Sequence, residues 1–396
     1  MERWRERLAH LVDALLADGL VTEPRLAAAL CRVPRHLFLP GVDPELVYGG
    51  QAIPVRLAGG AAQTVSSEPA VMARMIERLG VRGGMRVLEI GSGTGYNAAL
   101  LAELVGPSGQ VVTMESDPHA RAFAEANLRA AGYERVEVVQ GEGWDGWPLG
   151  APFDALEVTA ATRDLSTAWV EQAPRLVLPL ELAAHDWIVA FRRGPWGTLA
   201  GRGAEACAFV PLRGRAGVPQ PPLRLSRMWT VAADRSLADE GSRLAALLER
   251  APERHAVPLP PQGSRPWTLP LYLAARHGPE RILRLWYEPG LRPRTHLAAV
   301  RHLRIVAVLG PEAQSLCALV DPVEGGHGQL ELWTWGEDAL AATVREDVAR
   351  WAMEPSAEDV RVDAVPCGGP TACSRPGSPP HVYDLTVRWP HVPPAA

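Results

Sequence analysis

The sequence predicts an α/β protein with an open, mostly parallel sheet, helices on both faces of that sheet, and a second, C-terminal domain of α+β type. Three observations lead to this fold class. Apolar runs rich in β-formers alternate with helical runs between residues 86 and 159, which is the pattern of successive βαβ units. A glycine-rich turn follows the first of these strands and opens the next helix. A breaker-rich string at residues 213–222 divides this region from a later series of strands and helices.

The composition is that of an ordinary globular protein. The 396 residues give room for two or three domains, and 47% apolar with 21% charged residues excludes wholesale disorder. The formal net charge of −5 offers no drive towards nucleic acid or an anionic membrane, so neither is expected as a partner. All 40 basic residues are arginine, and the absence of lysine excludes Schiff-base and P-loop chemistry.

The cysteines and the N-terminus indicate a cytoplasmic protein. Five cysteines, an odd number and mostly isolated, suit a reducing compartment better than a disulfide framework. Cys367 and Cys373 lie close together, but no CxxC or HxxxH motif accompanies them, so free thiols are favoured over a zinc site and no metal is expected. Charged residues precede any apolar stretch at the N-terminus, unlike a secretory signal.

Residues 1–80 are predicted to form a helical segment and an ordered loop. Apolar residues recur at three- and four-residue spacing from Trp4 to Leu16, which is typical of a helix with one buried face. A second helix is expected after Thr22, whose hydroxyl can cap it. The stretch Gln51–Ser67 has no helical period, so we expect a loop that could act as a lid. A further helix is expected at residues 69–83.

Residues 81–215 are predicted to form the main sheet. The βαβ pattern runs over six segments: Arg86–Ile90, Tyr96–Val105, Gln110–Glu115, Pro118–Ala131, Val136–Val139 and Phe153–Thr159. Three later strands have no long helix between them: Leu176–Leu180, Trp187–Phe191 and Ala206–Leu212. We therefore expect the sheet to finish with an antiparallel pair.

Residues 220–396 are predicted to form the α+β domain, with substrate recognition as its role. Helices are expected near Leu237–Glu249 and at Asp338–Trp351. Strands are expected at Ile282–Tyr287, Leu303–Leu309, Leu316–Val320, Gln329–Trp335, Val360–Val365 and Val382–Trp389. The third and fourth of these strands are joined by DPVEGGHG, which indicates a hairpin.

The strongest chemical signal is VLEIGSGTGYNAALL, residues 87–101, in which Gly91, Gly93 and Gly95 follow a strand and open a helix. Glycine suits this position because the chain turns sharply and its backbone can approach a ligand closely. Glu115 ends the next strand, about twenty residues further on, where a carboxylate can accept hydrogen bonds from a ribose diol. The combination predicts a nucleotide site.

The spacing of this turn favours S-adenosylmethionine over a dinucleotide. The pattern is G-x-G-x-G preceded by Glu89, whereas dinucleotide folds carry G-x-G-x-x-G. A carboxylate would repel a pyrophosphate but suits the cationic sulfonium and amino group of the methyl donor. Glu142 and Gly143 follow the third strand, where the carboxylate could accept from the adenine amine. The alternative is that these residues form only a tight turn with solvent-exposed acidic side chains and bind no nucleotide.

Six motifs in order give a specific family resemblance. They are VPRHLFLP at 33–40, QTVSSEP at 63–69, VLEIGSGTGYNAAL from residue 87, GEGWDGWP with APFDALEVTAA at 141–161, RLVLP at 175–179 and FVPLRG at 209–214. Together they resemble the protein-L-isoaspartate O-methyltransferases over about the first 214 residues. The resemblance implies a Rossmann-like class I methyltransferase sheet. It also implies methyl transfer from S-adenosylmethionine to the carboxylate of an isoaspartyl, or in some branches aspartyl, residue of a peptide or protein.

The resemblance also implies the site residues. Cofactor contacts are expected from Gln63, Thr64, Glu89, Gly91, Gly93, Gly95, Glu115, Glu142 and Gly143. A serine is expected beside the reacting carboxylate. The family's T-[IV]-S order selects Ser66, whereas its S-x-P spacing selects Ser67; we choose Ser67 and keep Ser66 as its alternate.

A carboxylate is ionised at neutral pH and is itself the nucleophile, so this transfer needs neither a general base nor a metal. The ester product can close to a succinimide through the next backbone nitrogen. Three departures from the family pattern bear on the acceptor: Glu68 after the serines, Ala173-Pro174 before RLVLP, and Glu at position 142. They leave the donor site intact but put ordinary isoaspartyl repair in doubt.

The length beyond residue 220 resembles a C-terminally extended branch of the family that modifies ribosomally synthesised peptides. We therefore expect methylation of an aspartyl side chain in a dedicated peptide, leading to an aspartimide. Gln329–Trp335 or Val382–Trp389 could hold such a peptide by strand addition, if they are edge strands. General repair of isoaspartyl residues is the alternative, and a binding module with a silenced methyltransferase is a further one. The sequence leaves the oligomeric state open.

Overall fold

The computed structural model describes residues 3–57, 63–183, 185–214, 222–226, 229–233, 237, 239–258, 268–278, 281–287, 305–320, 329–336, 338–353, 360–367 and 382–389. The N-terminal segment contains helices α1 (Arg3–Ala17), α2 (Pro24–Arg32) and α3 (Pro44–Val47), with a short 3-10 turn at 35–38. The expected cap of α2 is wrong. Glu23 occupies the cap position, and the Thr22 hydroxyl donates instead to Glu77 Oε2 at 3.1 Å.

The predicted loop at Gln51–Ser67 is wrong, since it contains a β-hairpin. Strands β1 (Ile53–Arg56) and β2 (Gln63–Ser66) pair antiparallel, with Ile53 opposite Ser66 and Arg56 opposite Gln63. Thr64 and Ser66 are buried on one face of β2. Because polar residues occupy these buried positions, the strand carries no apolar alternation that the sequence could show.

The main sheet follows the predicted βαβ order. Its first elements are α4 (Pro69–Leu79), β3 (Arg86–Ile90), α5 (Tyr96–Val105), β4 (Gln110–Glu115), α6 (Pro118–Ala130), β5 (Glu137–Gln140), β6 (Ala155–Val158) and α7 (Thr167–Gln172). Strands β3, β4 and β5 pair in parallel, and β6 pairs in parallel with the other side of β3. The carboxyl ends of these strands therefore meet at one edge, where ligands bind in open α/β sheets.

The antiparallel finish of the sheet is confirmed, but its last strand was misplaced. Strands β7 (Arg175–Leu182), β8 (His185–Arg193) and β9 (Leu199–Cys207) pair antiparallel in sequence. The predicted strand Ala206–Leu212 is thus wrong. The sequence of β9, LAGRGAEAC, lacks the β-branched and aromatic residues that mark a strand.

Two strands predicted for the C-terminal domain lie instead in the main sheet. Strand β17 (Arg361–Pro366) pairs antiparallel with β9, and β18 (Tyr383–Arg388) lies at the edge, giving the order β18-β17-β9-β8-β7-β6-β3-β4-β5. Gly201 permits this approach, because a Cβ there would lie 2.3 Å from the Val362 carbonyl oxygen. Pairing between strands so distant in sequence leaves no local signal.

The remaining C-terminal elements form a second sheet. Its strands are β10 (Leu223–Arg224), β11 (Trp229–Ala233), β12 (Glu253–Pro258), β13 (Ile282–Tyr287), β14 (Ile305–Leu309), β15 (Leu316–Val320) and β16 (Gln329–Trp335). Its helices are α8 (Gly241–Leu248), α9 (Leu269–His277) and α10 (Asp338–Met353). The sheet is antiparallel in the order β10-β11-β13-β14-β15-β16-β12, and the predicted β15–β16 hairpin is confirmed.

The outcome for the two proposed edge strands differs. Strand β16 is paired with β15 on one side and β12 on the other, so strand addition at Gln329–Trp335 is wrong. Strand β18 does lie at the edge of the main sheet, but six strand positions from β3.

One hydrophobic core joins the two sheets. Trp187 of β8, Tyr272 of α9 and Val362 of β17 belong to the same cluster of buried residues. Tyr272 also packs against Trp389, with ring centroids 5.2 Å apart. A chain cut near residue 220 would lose β17 and expose this core, so truncation does not separate a recognition role from folding.

The cysteines depart from expectation at one position. Cys31, Cys207 and Cys317 are free, whereas Cys367, predicted to be a free thiol, is disulfide-bonded. Cys373 lies outside the described residues. Across the described ranges, no three His, Cys, Asp or Glu side chains cluster in a way that could hold a metal ion. None of the helices in the described ranges is long and apolar enough to span a membrane.

Candidate active site

A cavity of about 790 Å³ opens at the carboxyl ends of β3, β4 and β6. Eight of the eleven predicted site residues line it: Thr64, Ser66, Ser67, Glu89, Gly91, Gly93, Glu115 and Gly143. Gly95 and Glu142 do not line it, and the side chain of Gln63 lies outside the described residues. The hairpin β1–β2 and helix α4 form one wall, and the segment 206–213 covers another side.

The glycine turn after β3 forms the floor of the cavity. Its backbone is tied to β4, because the amides of Gly91 and Ser92 donate to the Met114 carbonyl oxygen at 2.8 and 3.1 Å. Gly91 has φ +101°, and a Cβ there would lie 2.4 Å from Thr159 Oγ1. Only glycine fits, which leaves the turn open to a ligand.

Gly95 is required by the packing of two helices. It has φ +87° at the start of α5, and a Cβ there would lie 3.0 Å from Leu128 Cγ and 3.1 Å from the Ala124 carbonyl oxygen of α6. Its expected contact with a cofactor stays a prediction.

Glu115 is held at the end of β4 with its carboxylate at the cavity. Its Oε1 accepts from the amides of Ser116 and Asp117 at 3.0 and 3.3 Å, and its Oε2 accepts from the Gly93 amide at 3.4 Å. A carboxylate offers about four acceptor sites, and the three amides use three of them, so Oε2 can still accept from a hydroxyl group. This remaining acceptor fits a hydroxyl of a ribose.

Glu142 and Gly143 follow β5, the strand that pairs with β4. Gly143 lines the cavity, whereas the Glu142 carboxylate lies against Gly214, where an added Cβ would be 2.1 Å from Oε2. Glu142 Oε1 is buried without a protein hydrogen-bond partner. This unpaired oxygen could accept from the adenine amine of the cofactor, but Glu142 is not among the residues that line the cavity.

Glu89 lies on β3 and is fully buried, and a second carboxyl that the sequence reasoning missed faces it. Asn97 Nδ2 donates to Glu89 Oε1 at 2.8 Å and to Glu157 Oε2 at 2.9 Å, and Thr113 Oγ1 donates to Glu89. Burial raises the pKa of Glu89 to about 7, and burial together with the nearby Glu89 raises the pKa of Glu157 to about 8. The available signal was a charge inside the apolar strand β6.

The serine segment is organised by Arg35, which the sequence reasoning also missed. The Arg35 side chain is fully buried, and its Nη2 donates to the Ser67 carbonyl at 2.9 Å and lies 3.3 Å from Ser66 Oγ. Its Nη1 donates to the Val47 carbonyl at 2.7 Å. Burial lowers the pKa of this guanidinium. Both Ser66 and Ser67 line the cavity, so the structure brings both candidate serines to the site.

The segment 206–213 closes the cavity on the side of β6. The Ala161 amide donates to the Val210 carbonyl at 2.8 Å, and the Leu212 amide donates to the Ala161 carbonyl at 2.8 Å. The Phe209 amide donates to Asp186 Oδ2 at 3.1 Å, and burial raises the pKa of Asp186 to about 6. Backbone pairing thus holds the segment across the opening.

Two of the departures from the family pattern differ in position. Glu68 lines the cavity beside the serines, whereas Ala173 and Pro174 lie at the end of α7, outside the lining. Of these two departures, Glu68 is therefore the one in a position to contact an acceptor.

A parallel sheet with a glycine turn, a carboxylate at the end of the next strand and a serine wall defines a Rossmann-like methyltransferase. Comparison with known proteins identifies the methyltransferase family. The profile of the family "Protein-L-isoaspartate(D-aspartate) O-methyltransferase (PCMT)" matches residues 6–217, more than half of the chain. The chain belongs to this family, whose members are S-adenosylmethionine-dependent protein carboxyl methyltransferases.

Relatives match the same part of the chain. The protein-L-isoaspartate O-methyltransferase of Methanopyrus kandleri is 38% identical over 223 residues, covering 55% of this chain and 95% of that protein. The one from Methanoregula boonei is 40% identical over 211 residues, covering 52% of this chain and 93% of that protein. A solved structure with the same protein name covers 96% of this chain and 99% of its own, with 20% identity and a TM-score of 0.52. This last likeness shows a shared fold across both sheets.

Proposed function

We propose that this chain methylates an aspartyl side-chain carboxylate in a dedicated peptide, with S-adenosylmethionine as donor, and that the ester then closes to a succinimide. The observation that carries the proposal is that Glu115, the glycine turn, Ser66 and Ser67 line one cavity together. One wall suits a nucleoside, and the other offers hydroxyl donors to an acceptor carboxylate.

The residues present fit the donor. Glu115 would hold the ribose, the turn at Gly91 and Gly93 would lie beneath the methionyl part, and Glu89 would face its cationic end. When bound, the donor supplies an electrophilic methyl group. Every polar group in this assignment belongs to the described lining of the cavity.

The protein's own task is placement. An acceptor carboxylate is ionised at neutral pH, so the serine hydroxyl needs only to donate to one of its oxygens and leave the other free. Arg35 keeps the serine backbone in place, and the segment 206–213 excludes water. Holding the reactants in line can supply several kcal/mol of the barrier.

The dedicated role is supported by Glu68, because a carboxylate beside the acceptor position disfavours indiscriminate entry of acidic peptides. It is also supported by the second sheet, because the core of that sheet is continuous with β8. Asp186 of β8 accepts from the Phe209 amide of the segment 206–213, which links the second sheet to the cavity. General repair of isoaspartyl residues is the second candidate. It is favoured by the solved protein-L-isoaspartate O-methyltransferase chain that aligns with 96% of this chain, extension included.

Matched peptides decide between these acceptors. One sequence is synthesised with aspartate and with isoaspartate, in a generic context and in a constrained peptide encoded beside the enzyme's gene. Mass spectrometry after incubation should show a gain of one methyl group, or loss of one water, only for the constrained aspartyl peptide. Robust methylation of generic isoaspartyl peptides would establish repair instead. The cytoplasm is the expected compartment, which cell fractionation would test.

Ser67→Ala is expected to lower kcat at least about tenfold while leaving donor affinity unchanged, because the hydroxyl orients the acceptor and does not touch the donor. Steady-state kinetics with calorimetric donor titration is the measurement. Ser66→Ala is the matched variant. If Ser66→Ala alone lowers kcat, the active serine is Ser66 and our choice is one residue out of register.

Glu115→Ala is expected to weaken donor binding at least about tenfold, because a charge-assisted hydrogen bond of roughly 1.5–3 kcal/mol to the ribose is lost. Calorimetry without added metal measures the effect. Glu134→Ala, at an exposed position beyond α6, is the control and should bind normally. Unchanged affinity in Glu115→Ala would contradict the nucleoside assignment.

A further inference from the structure

Three buried polar side chains form a row across the central strands of the main sheet, and two of them, Glu89 and Glu157, line the cavity. Thr113 on β4, Glu89 on β3 and Glu157 on β6 are register partners on adjacent parallel strands, and all three are fully buried. Asn97 from the first turn of α5 joins the two carboxyls with its amide nitrogen. Both hydrogens of that nitrogen are thereby used, one on each carboxyl.

Two acceptors in this cluster are left over. Glu157 Oε1 and Asn97 Oδ1 are buried and have no protein hydrogen-bond partner. Both residues line the cavity. An orphaned buried acceptor costs about 1–3 kcal/mol, more when charged, so its presence points to a donor or a cation that arrives with a ligand.

The described residues place several ionisable groups on the elements around the two carboxyls. Ionisable side chains on the neighbouring elements include Glu115 on β4, Tyr96 on α5, Cys207 on β9, and Arg74 and Arg78 on α4. The two arginines pair with Glu205 at 3.0 and 3.1 Å. Within the described ranges, no cation forms an ion pair with either Glu89 or Glu157. Two buried carboxyls without a cation hold a proton near neutral pH.

We propose that Glu89 and Glu157, joined by Asn97, form a proton-yielding subsite that recognises the cationic methionyl end of the methyl donor. The inference rests on the proposed function and deepens it, because it adds Glu157 to the donor site. When the cationic ligand enters, its charge replaces the shared proton, which leaves to solvent. The pair then holds two carboxylates against the ligand's positive charge.

The sign of the pH dependence follows from this exchange. A cation binds the deprotonated pair better, so the contribution of Glu157 to donor affinity grows as pH rises through about 7 to 8 and is absent well below that range. The donor's own α-amino group, with a pKa near 7.7–8.0 in simple compounds, titrates in every measurement. Its effect cancels in the ratio of the dissociation constants of the variant and the wild type.

Calorimetry of the full chain in two buffers of different ionisation enthalpy measures the protons released on binding. Three probes are used. S-adenosylmethionine carries a sulfonium and an ammonium group, S-adenosylhomocysteine carries the ammonium group alone, and 5′-methylthioadenosine carries neither. At about pH 7.5 the wild type should show net proton release with the donor, equal to about one proton from the pair less the fraction that the donor's α-amino group takes up, and none with methylthioadenosine. Release with S-adenosylhomocysteine places the pair at the ammonium, and no release with it places the pair at the sulfonium.

Glu157→Gln keeps the side-chain shape and removes one titrating group. It should cut proton release at least about twofold, and the ratio of variant to wild-type dissociation constants should rise about fivefold between about pH 6.5 and 8.5. Glu137→Gln, an exposed residue on β5, is the matched control and should give a flat ratio.

The wild-type titrations need no variant, so they test the proposal even if a substitution impairs folding. Equal proton release by methylthioadenosine and the donor, donor binding without release, or a Glu157→Gln protein that matches the wild type would overturn the subsite. Failure of the wild type to bind the donor at all would instead contradict the proposed function.

Discussion

Arg35→Ala should lower turnover at least about 100-fold and destabilise the protein by about 3–5 kcal/mol. The Arg35 guanidinium donates to the carbonyls of Val47, Gln51 and Ser67, and it lies within hydrogen-bond distance of Ser66 Oγ. Removing it leaves several buried acceptors without a donor, at about 1–3 kcal/mol each. The serine wall then loses its fixed position relative to the donor.

A kcat measurement, a donor titration and urea unfolding separate the two effects. Arg35→Lys keeps the charge but reaches fewer carbonyls, so we expect intermediate stability and partial turnover. Arg32→Ala is the control, since Arg32 is half exposed and pairs only with Glu103 at 2.7 Å. A stable Arg35→Ala protein with normal kcat would show that the guanidinium does not position the serines.

Glu157→Gln should stabilise the ligand-free protein, and the gain should grow with pH. Burial raises the pKa of Glu157 from 4.5 to about 8, so the folded state retains a proton that the unfolded chain releases. Stability is therefore lost in the wild type as pH rises above about 4.5, and the loss is complete above about 8. A rise of this size in the pKa of Glu157 corresponds to a loss of about 3–5 kcal/mol of unfolding free energy once the carboxyl is fully ionised.

Urea unfolding at about pH 5 and pH 9 measures the gain. The variant and the wild type should differ little at the lower pH and by several kcal/mol at the higher one. Glu137→Gln should show no such trend. Equal gains at both pH values would mean that Glu157 is not held protonated in the folded protein.

The parts of the fold with strong local signals were predictable from the sequence. Strands β3, β4 and β6 are mostly apolar runs, and β15 and β16 are joined by a glycine-rich sequence. The strands without such signals were missed or misplaced. Strand β9 is rich in glycine and alanine, and β2 buries a threonine and a serine where apolar residues are usual.

The position of β17 shows a different limit. Its residues Val362 and Ala364 read correctly as a strand, but its partner β9 lies more than 150 residues earlier in the chain. The choice between the two sheets depends on the gap that Gly201 leaves beside Phe191 and on the shared core. Neither feature exists before the chain is folded.

The candidate site divides in the same way. The glycine turn and Glu115 were predicted because their spacing along a βαβ unit is set by the ligand. Arg35 and Glu157 were missed, because their importance comes from neighbours distant in sequence: the serine segment for one, and Glu89 with Asn97 for the other. Gly95 was predicted from the ligand alone, whereas the structure adds a second reason for glycine there, the close approach of α6.

The chemical nature of the transferred methyl group tests the central claim most directly. A panel of aspartyl and isoaspartyl peptides is incubated with the full chain and S-adenosylmethionine carrying an isotopically labelled methyl group. A carboxyl ester is labile, so mild alkali should release the label as methanol. Closure of the ester to the succinimide also expels methanol, which leaves the untreated peptide one water lighter than the starting peptide. A methyl group that stays on the peptide after alkali, as on nitrogen, would contradict carboxyl methylation by this protein.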